Sequence, residues 1–329
     1  MSKRPRTLDA FFAPPPAKKR HIQTTTTGGD VETTERKATP GAGTKQQPLS
    51  NHPTYPFAIP HLPPDITDSL NSTPATEPQI LNNQPDLDLL YYRPYIPQPT
   101  AKQFFHFLRR ELPFYRVKYT INRGGALDTP VTTPRFTTVF GLDETARFDI
   151  HGQPVSGSKA THYACRPRPI PQCLDHLRAL TEQTTHCKFN VALVNYYASG
   201  ADSIAYHSDS EHFLGPEPAI ASFTLGTSRD FLLKHVPTPV NHISETRAPM
   251  RLPLKSGEMV LMRGRTQSCW LHSVPKRKGG EAETGRMNIT FRQALVRGGT
   301  ENYYRYNVGE GEVYKWDEGR REMVIYRGN

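Results

Sequence analysis

The period of the apolar positions changes along the chain. Residues 1–85 show no sustained helical or strand period. They are rich in Thr, Pro, Gly and Asn and hold fourteen of the 31 prolines. A stretch so poor in apolar side chains cannot offset its ordering entropy, so residues 1–85 are expected to form a disordered tail, with 21–85 a flexible linker. From residue 86 the pattern is that of a folded region. Phe104, Phe105, Phe107, Leu108 and Leu112 recur at helical spacing after Pro99 and Thr100, a helix-start signal. A second helix is expected over about 171–184, with Leu174, Leu177 and Leu180 inward. Strand-like segments follow at 189–197, 220–225, 231–234, 258–262 and 288–293, punctuated by Gly and Pro. Many short strands after two helices predict a sandwich or barrel with helices on one side, spanning 86–298. Residues 299–329 carry Tyr303, Tyr304, Tyr306, Tyr314, Trp316 and Tyr326. So many aromatic rings predict an extension packed on the core, although such rings also stack on bases.

Composition narrows the partners. The chain has 41 Lys and Arg against 31 Asp and Glu, a formal charge of +10, which suits an anionic partner such as nucleic acid or a membrane surface. The four cysteines, Cys165, Cys173, Cys187 and Cys269, form no CxxC pair. The N-terminus is unlike a signal peptide, and no apolar run approaches the ~20 residues of a membrane helix. A reducing intracellular compartment with free thiols is expected. Two basic clusters, Lys3, Arg4, Arg6 and Lys18, Lys19, Arg20, enclose the single acid Asp9; split clusters of this kind act as nuclear import signals, so the expected location is the nucleus. Between them Leu8, Phe11 and Phe12 have the i, i+3, i+4 spacing of one helical face, suited to a partner's groove. The segment resembles the motif by which repair proteins bind the sliding clamp, departing from it at Pro5, where that motif has Gln.

Three patterns carry chemistry. In His207-Ser208-Asp209, residues i and i+2 of an extended segment point the same way. With His272 from a distant strand they supply two imidazoles and one carboxylate, the facial set of non-haem Fe(II) oxygenases, which leaves positions for a bidentate co-substrate and O2. In 286–292, Arg286, Asn288, Thr290 and Arg292 share one strand face and Met287, Ile289 and Phe291 the other. Two arginines on an inner face require anions, and guanidinium groups bind carboxylates bidentately, so a dicarboxylate such as 2-oxoglutarate fits. Asn195 and Tyr197 end the apolar stripe of Phe189, Val191 and Leu193, which suits an apolar cavity with a few placed polar groups.

In their order, Asn195-Tyr196-Tyr197, His207-Ser208-Asp209, Arg229-Asp230-Phe231, His272-Ser273 and Arg286-x-Asn288-x-Thr290-Phe291-Arg292 resemble the AlkB family of dioxygenases, and within it the branch that repairs alkylated DNA in nuclei. The resemblance covers roughly residues 90–296. It implies an α+β fold with a double-stranded β-helix (jelly-roll) core and helices on one side. It implies Fe(II) on His207, Asp209 and His272. It implies 2-oxoglutarate on Asn195, Tyr197, Arg286 and Arg292, with Arg292 on the distal carboxylate and Asn288 assisting, and O2 as the second co-substrate. The implied reaction is oxidative demethylation of bases such as 1-methyladenine and 3-methylcytosine, with formaldehyde and succinate released. The segment 135–141 resembles the hydrophobic finger of this branch, so Phe140 would fill the gap left by a flipped base and Val139 would flank it. Tyr163, or His162 beside it, would stack on the extruded base, and Glu211 would stand near the base pocket. Ser210 departs from the acid usual there. Lys276, Arg277 and Lys278 resemble a phosphate-contacting loop that Gly279-Gly280 ends early.

The expected enzyme is a monomer acting on duplex DNA. Two other readings remain open at this point. One is the same chemistry on RNA or protein, which Val139-Phe140 disfavours because a single strand needs no wedge. The other is a non-catalytic damage-binding module, which the retained His207, Asp209, His272, Arg286 and Arg292 disfavour.

Overall fold

The computed structural model describes residues 47–121, 129–141, 167–209, 211–236, 249–279, 284–295, 304, 307, 308 and 311–328. In chain order the elements are β1 (Leu49–Ser50), β2 (Ile59–Pro60), α1 (Pro64–Ser72), β3 (Gln79–Leu81), β4 (Leu89–Tyr92), α2 (Gln98–Glu111), β5 (Phe114–Tyr115), β6 (Lys118–Ile121), β7 (Thr129–Thr132) and β8 (Phe136–Gly141). Then come α3 (Gln172–Thr185), β9 (Val191–Tyr197), β10 (Ile204–His207), β11 (Ile220–Gly226), β12 (Arg229–His235), β13 (Met250–Leu254), β14 (Met259–Met262), α4 (Thr266–Cys269), β15 (Trp270–Val274), β16 (Arg286–Arg292), β17 (Val313–Asp317) and β18 (Glu322–Ile325).

Two antiparallel sheets form the core. The larger has the order β18-β17-β5-β8-β9-β16-β11-β14-β4-β3, and the smaller β10-β15-β12-β13. Because successive strand residues face opposite sides, β9 and β11 each feed two apolar layers, while β16 feeds one with Met287, Ile289 and Phe291 and turns a polar face the other way. Ala192, Val194, Phe223, Ile289 and Phe291 face the layer that α1, α2 and α3 cover. Val191, Leu193, Tyr197 and Ile220 face the small sheet, where Phe231, Leu233 and Trp270 meet them. This is the jelly-roll core with helices on one side, and every residue of β9 and β16 is buried. α2 starts with Pro at its first turn and turns Phe104, Phe105, Phe107 and Leu108 inward; α3 does the same with Leu174 and Leu177.

The folded region starts earlier than composition predicts. Residues 47–85, expected to be part of a flexible tail, supply β1, β2, α1 and β3. Ile59, Leu62, Ile66 and Leu70 are buried in the helix-side core. α1 has nine residues and only two inward apolar side chains, so its burial comes from α2 and α3 rather than from its own pattern. At the other end, β17 pairs with β5 and β18 with β17, extending the large sheet beyond the jelly-roll strands.

The wedge expected at Val139 and Phe140 is corrected. Both lie inside β8, hydrogen-bonded between β5 and β9, and both are 0 % exposed. Phe140 packs edge-on against Tyr55, and Val139 joins the layer between the sheets. A central strand buried on both faces gives a continuous apolar run, which in sequence is identical to an apolar tip. Gly141, which ends β8, has φ +128°, and a Cβ there would stand 2.2 Å from the Asn190 carbonyl oxygen and 2.6 Å from Val191 Cα. Backbone on that side cannot give way. Gly141→Ala is expected to cost about 3 kcal/mol, read as a lower urea midpoint with an unchanged slope.

Candidate active site

The metal candidates converge through strand pairing. His207 ends β10, directly opposite His272 in β15, with a register shift just before it. The turn after β10 carries Asp209 back over the pair, held by the side chain of Gln267. Its Oε1 accepts from Asp209 N at 3.1 Å, while Ser208 Oγ donates to the Gln267 carbonyl at 2.5 Å. Asp209 Oδ1 lies 3.8 Å from His207 Nε2, and its Oδ2 3.7 Å from His272 Nε2. The ligand atoms of the three residues all lie within 4.8 Å of one another, and all three residues are buried. His207 Nδ1 donates to the Ala205 carbonyl at 2.9 Å, which leaves the Nε2 lone pair for a metal.

The charges suit a cation. Burial works against ionisation of Asp209, but Arg292 and the two imidazoles outweigh it and hold the carboxyl down at about 2. Burial, with His207 alongside, lowers His272 to about 3, and burial lowers His207 as well. At neutral pH the set is two neutral imidazoles and a carboxylate, the form in which these groups bind a divalent metal.

β16 runs past this cluster with its polar face toward it. Arg292 Nη2 donates to Asp209 Oδ2 at 3.2 Å and to Thr290 Oγ1 at 2.9 Å. Arg286 lies six residues away on the same face. Its guanidinium stands 5.3 Å from the Tyr197 ring centroid and donates from Nη2 to Thr224 Oγ1 at 2.8 Å. Its Nε and Nη1 are buried and meet no acceptor among the described residues. Burial pulls Arg286 down to about 10, so it stays charged at neutral pH. A buried guanidinium with two idle donors and no carboxylate is costly, and its chemistry suits an anion. Arg292, expected on the distal carboxylate, and Arg286 occupy different ends of this face. Arg292 stands at the metal cluster, and Arg286 stands away from it.

The remaining candidates divide. Asn195, Tyr197 and Asn288 line the same cavity. Asn195 Oδ1 accepts from Arg135 Nε at 2.9 Å, and Asn288 Nδ2 is spent on Ser222 Oγ and the Phe223 carbonyl at 2.9 and 2.8 Å, so Asn288 ties β16 to β11. The space enclosed is about 30 Å³, room for one water-sized group, because Arg292 reaches across to Asp209. Glu211 is buried and donates its backbone N–H to the Asp209 carbonyl at 2.8 Å, but it does not line this cavity. Arg277 and Lys278 are exposed, and Arg277 is anchored to the carbonyls of Gly200 and Ser228. Tyr163, its neighbour His162, and Leu8, Phe11 and Phe12 lie outside the described residues.

Three residues went unassigned in the sequence. Arg135 is buried in the cavity wall, a third guanidinium beside a single lining carboxylate, Asp209. Its signal was a lone charge at the head of an apolar run. Gln267 had no signal. Arg229 is buried and donates to the carbonyls of Asp202 and Pro275 at 2.9 and 2.6 Å, pinning the loop after β9 to the end of β15.

The profile of the 2OG-Fe(II) oxygenase superfamily matches residues 88–292. The chain is 31 % identical over 252 residues to the DNA oxidative demethylase ALKBH2 of Arabidopsis thaliana, an alignment covering 69 % of this chain and 76 % of that protein. It is 38 % identical over 134 residues to ALKBH2 of Homo sapiens, covering 40 % of this chain and 49 % of that protein. With the alpha-ketoglutarate-dependent dioxygenase alkB homolog 3 of Mus musculus it shares 37 % identity over 117 residues, 35 % of this chain and 40 % of that protein. The two mammalian alignments span about half of those proteins or less.

Proposed function

The chain belongs to the 2OG-Fe(II) oxygenase superfamily and, within it, to the AlkB family, and from that membership we propose that it is a DNA repair dioxygenase that demethylates N-alkylated bases such as 1-methyladenine and 3-methylcytosine. His207, Asp209 and His272 would hold Fe(II), and Arg286, Arg292, Asn195 and Tyr197 would hold 2-oxoglutarate. The observation that carries this reading is the pairing of a buried His-Asp-His cluster with the idle donors of Arg286 on one strand face. Bound Fe(II), with 2-oxoglutarate and O2, supplies oxidation of the N-methyl carbon, leaving succinate, CO2 and formaldehyde.

The chain's own contribution is placement. The β10–β15 pairing sets the two imidazoles side by side, and Gln267 fixes the turn that carries Asp209. Arg292, which bonds Asp209, and Arg286, beside Tyr197, would together hold the two carboxylates of the co-substrate. Leu193, Ile204, Phe231, Met262 and Val274 line the rest of the cavity and keep water out. A base within a duplex must be extruded to reach a site this buried. Val139 and Phe140 cannot drive that step; the exposed Lys276, Arg277 and Lys278 suit the flanking phosphates. The N-terminal Leu8, Phe11 and Phe12 would recruit the sliding clamp, and the flanking basic clusters would direct the protein to the nucleus.

Paired DNA and RNA oligonucleotides carrying one 3-methylcytosine test the substrate. Formaldehyde release from DNA is expected to exceed that from RNA at least about tenfold. Release from RNA alone would overturn the DNA assignment and keep the chemistry.

A further inference from the structure

A second cleft, of about 960 Å³, lies on the helix side of the large sheet, against the ends of β9, β11 and β16. Its size is that of a small-molecule site. One wall is α2; another is the β17–β18 hairpin, which lies beyond the superfamily match at residues 88–292. The hairpin therefore builds a surface that the dioxygenase core does not need.

The centre of the cleft is Arg109. It is 8 % exposed. Its guanidinium lies 3.6 Å from the Trp316 ring centroid and 5.0 Å from that of Phe105, and its Nη2 meets His106 Nδ1 at 3.2 Å. Among the described residues it forms no ion pair with a carboxylate and its buried Nε has no acceptor, while the guanidinium also bonds the Tyr196 hydroxyl. Trp316 Nε1 is likewise buried and without an acceptor. Two idle donors and a buried cation held by aromatic rings without a carboxylate, in a roomy cleft, suit an anionic ligand. Lys102 and Arg321 also line the cleft, against one acid, Glu322, and Arg116 lines it while paired with Asp202 at 2.8 Å. Burial and the neighbouring Arg109 and Lys102 hold the His106 imidazole below its usual range, in keeping with a positive field. The rim residue Ser228 accepts from Arg277 Nη1 at 3.1 Å, so the exposed basic loop 276–278 leads to the cleft edge.

We propose that this cleft binds a nucleotide, its phosphate on Arg109, Lys102 and Arg321 and its base beside the half-buried ring of Trp316. Cationic grooves lined with aromatic rings are the general solution for unpaired nucleic acid. The ligand class rests on the DNA reading above; the cation and donor arrangement does not. Two sources share the chemistry, a free mononucleotide and a nucleotide unit of a single strand.

The test uses the full chain with and without Lys102→Glu plus Arg321→Glu, two exposed positions outside the metal and co-substrate site. Tryptophan emission, from Trp270 and Trp316 together, follows dAMP, and fluorescence polarisation follows a short labelled oligothymidine across a salt series. Quenching by dAMP that the double variant loses assigns a free nucleotide. Loss of oligothymidine affinity of about tenfold or more, with a salt slope lower by roughly 1.4 for two lost phosphate contacts, assigns a strand. Either supports the proposal. Equal behaviour of wild type and variant with both probes overturns it, as does an oligoglutamate that binds as tightly as oligothymidine of equal length. Because both readouts need no iron and no lesion, failure here leaves the demethylation result untouched, and failure of demethylation leaves this one readable.

Discussion

Replacing Asp209 by alanine is expected to end turnover and to weaken the fold at once. The carboxylate contacts both imidazoles and Arg292, which is 1 % exposed. Without it the Arg292 cation stays buried and unbalanced, a loss of about 3 kcal/mol, or roughly 6–12 °C in melting temperature for a domain of this size. Changing the partner of a metal ligand lowers affinity by about 10–100-fold; removing a ligand outright is expected to exceed that. Isothermal titration with Fe(II) under anaerobic conditions and a melting scan of the metal-free protein read the two effects separately. An Asp209→Ala protein that melts like wild type and still binds metal tightly would show that the cluster is not a metal site.

Arg286→Met is expected to push stability the other way while destroying function. Methionine keeps about the length of the side chain beside the Tyr197 ring, and it removes a buried charge that bonds Thr224 Oγ1 and has no carboxylate partner among the described residues. Apolar replacement of poorly compensated buried ions is often neutral or stabilising, so the free protein should melt at the same temperature as wild type or higher. What should vanish is the gain on adding 2-oxoglutarate. A ligand at a hundred times its Kd stabilises by about 2.7 kcal/mol. Losing charged hydrogen bonds worth about 3 kcal/mol should raise the KM for 2-oxoglutarate roughly 100-fold. A free-protein melting temperature well below wild type would mean that Arg286 is structural, held by contacts other than those described here. The opposite signs at Asp209 and Arg286 separate a cation that has its partner from one that awaits it.

The parts of this site that could be read from the sequence are those set by strand periodicity. Alternation in 286–292 places Arg286, Asn288, Thr290 and Arg292 together, and β16 keeps them on the inner face. The i, i+2 spacing of His207 and Asp209 survives the turn after β10. What could not be read depends on pairing between distant strands. Which arginine meets the His-Asp-His cluster follows from β16 running antiparallel to β9 and β11, which leaves Arg292 at the Asp209 end. Arg135 enters the cavity only because the chain before β8 crosses Asn195. Val139 and Phe140 were misassigned because burial on both faces of β8 erases the alternation that would mark a strand. α1 was missed because a nine-residue helix with two inward apolar residues depends on its neighbours.

The most direct measurement follows a duplex oligonucleotide carrying one 1-methyladenine by mass spectrometry, with the full chain, Fe(II), 2-oxoglutarate and ascorbate. The account predicts loss of the methyl group with wild type and no loss with Asp209→Ala. Retention of the methyl group by wild type, with succinate still formed from 2-oxoglutarate, would contradict it.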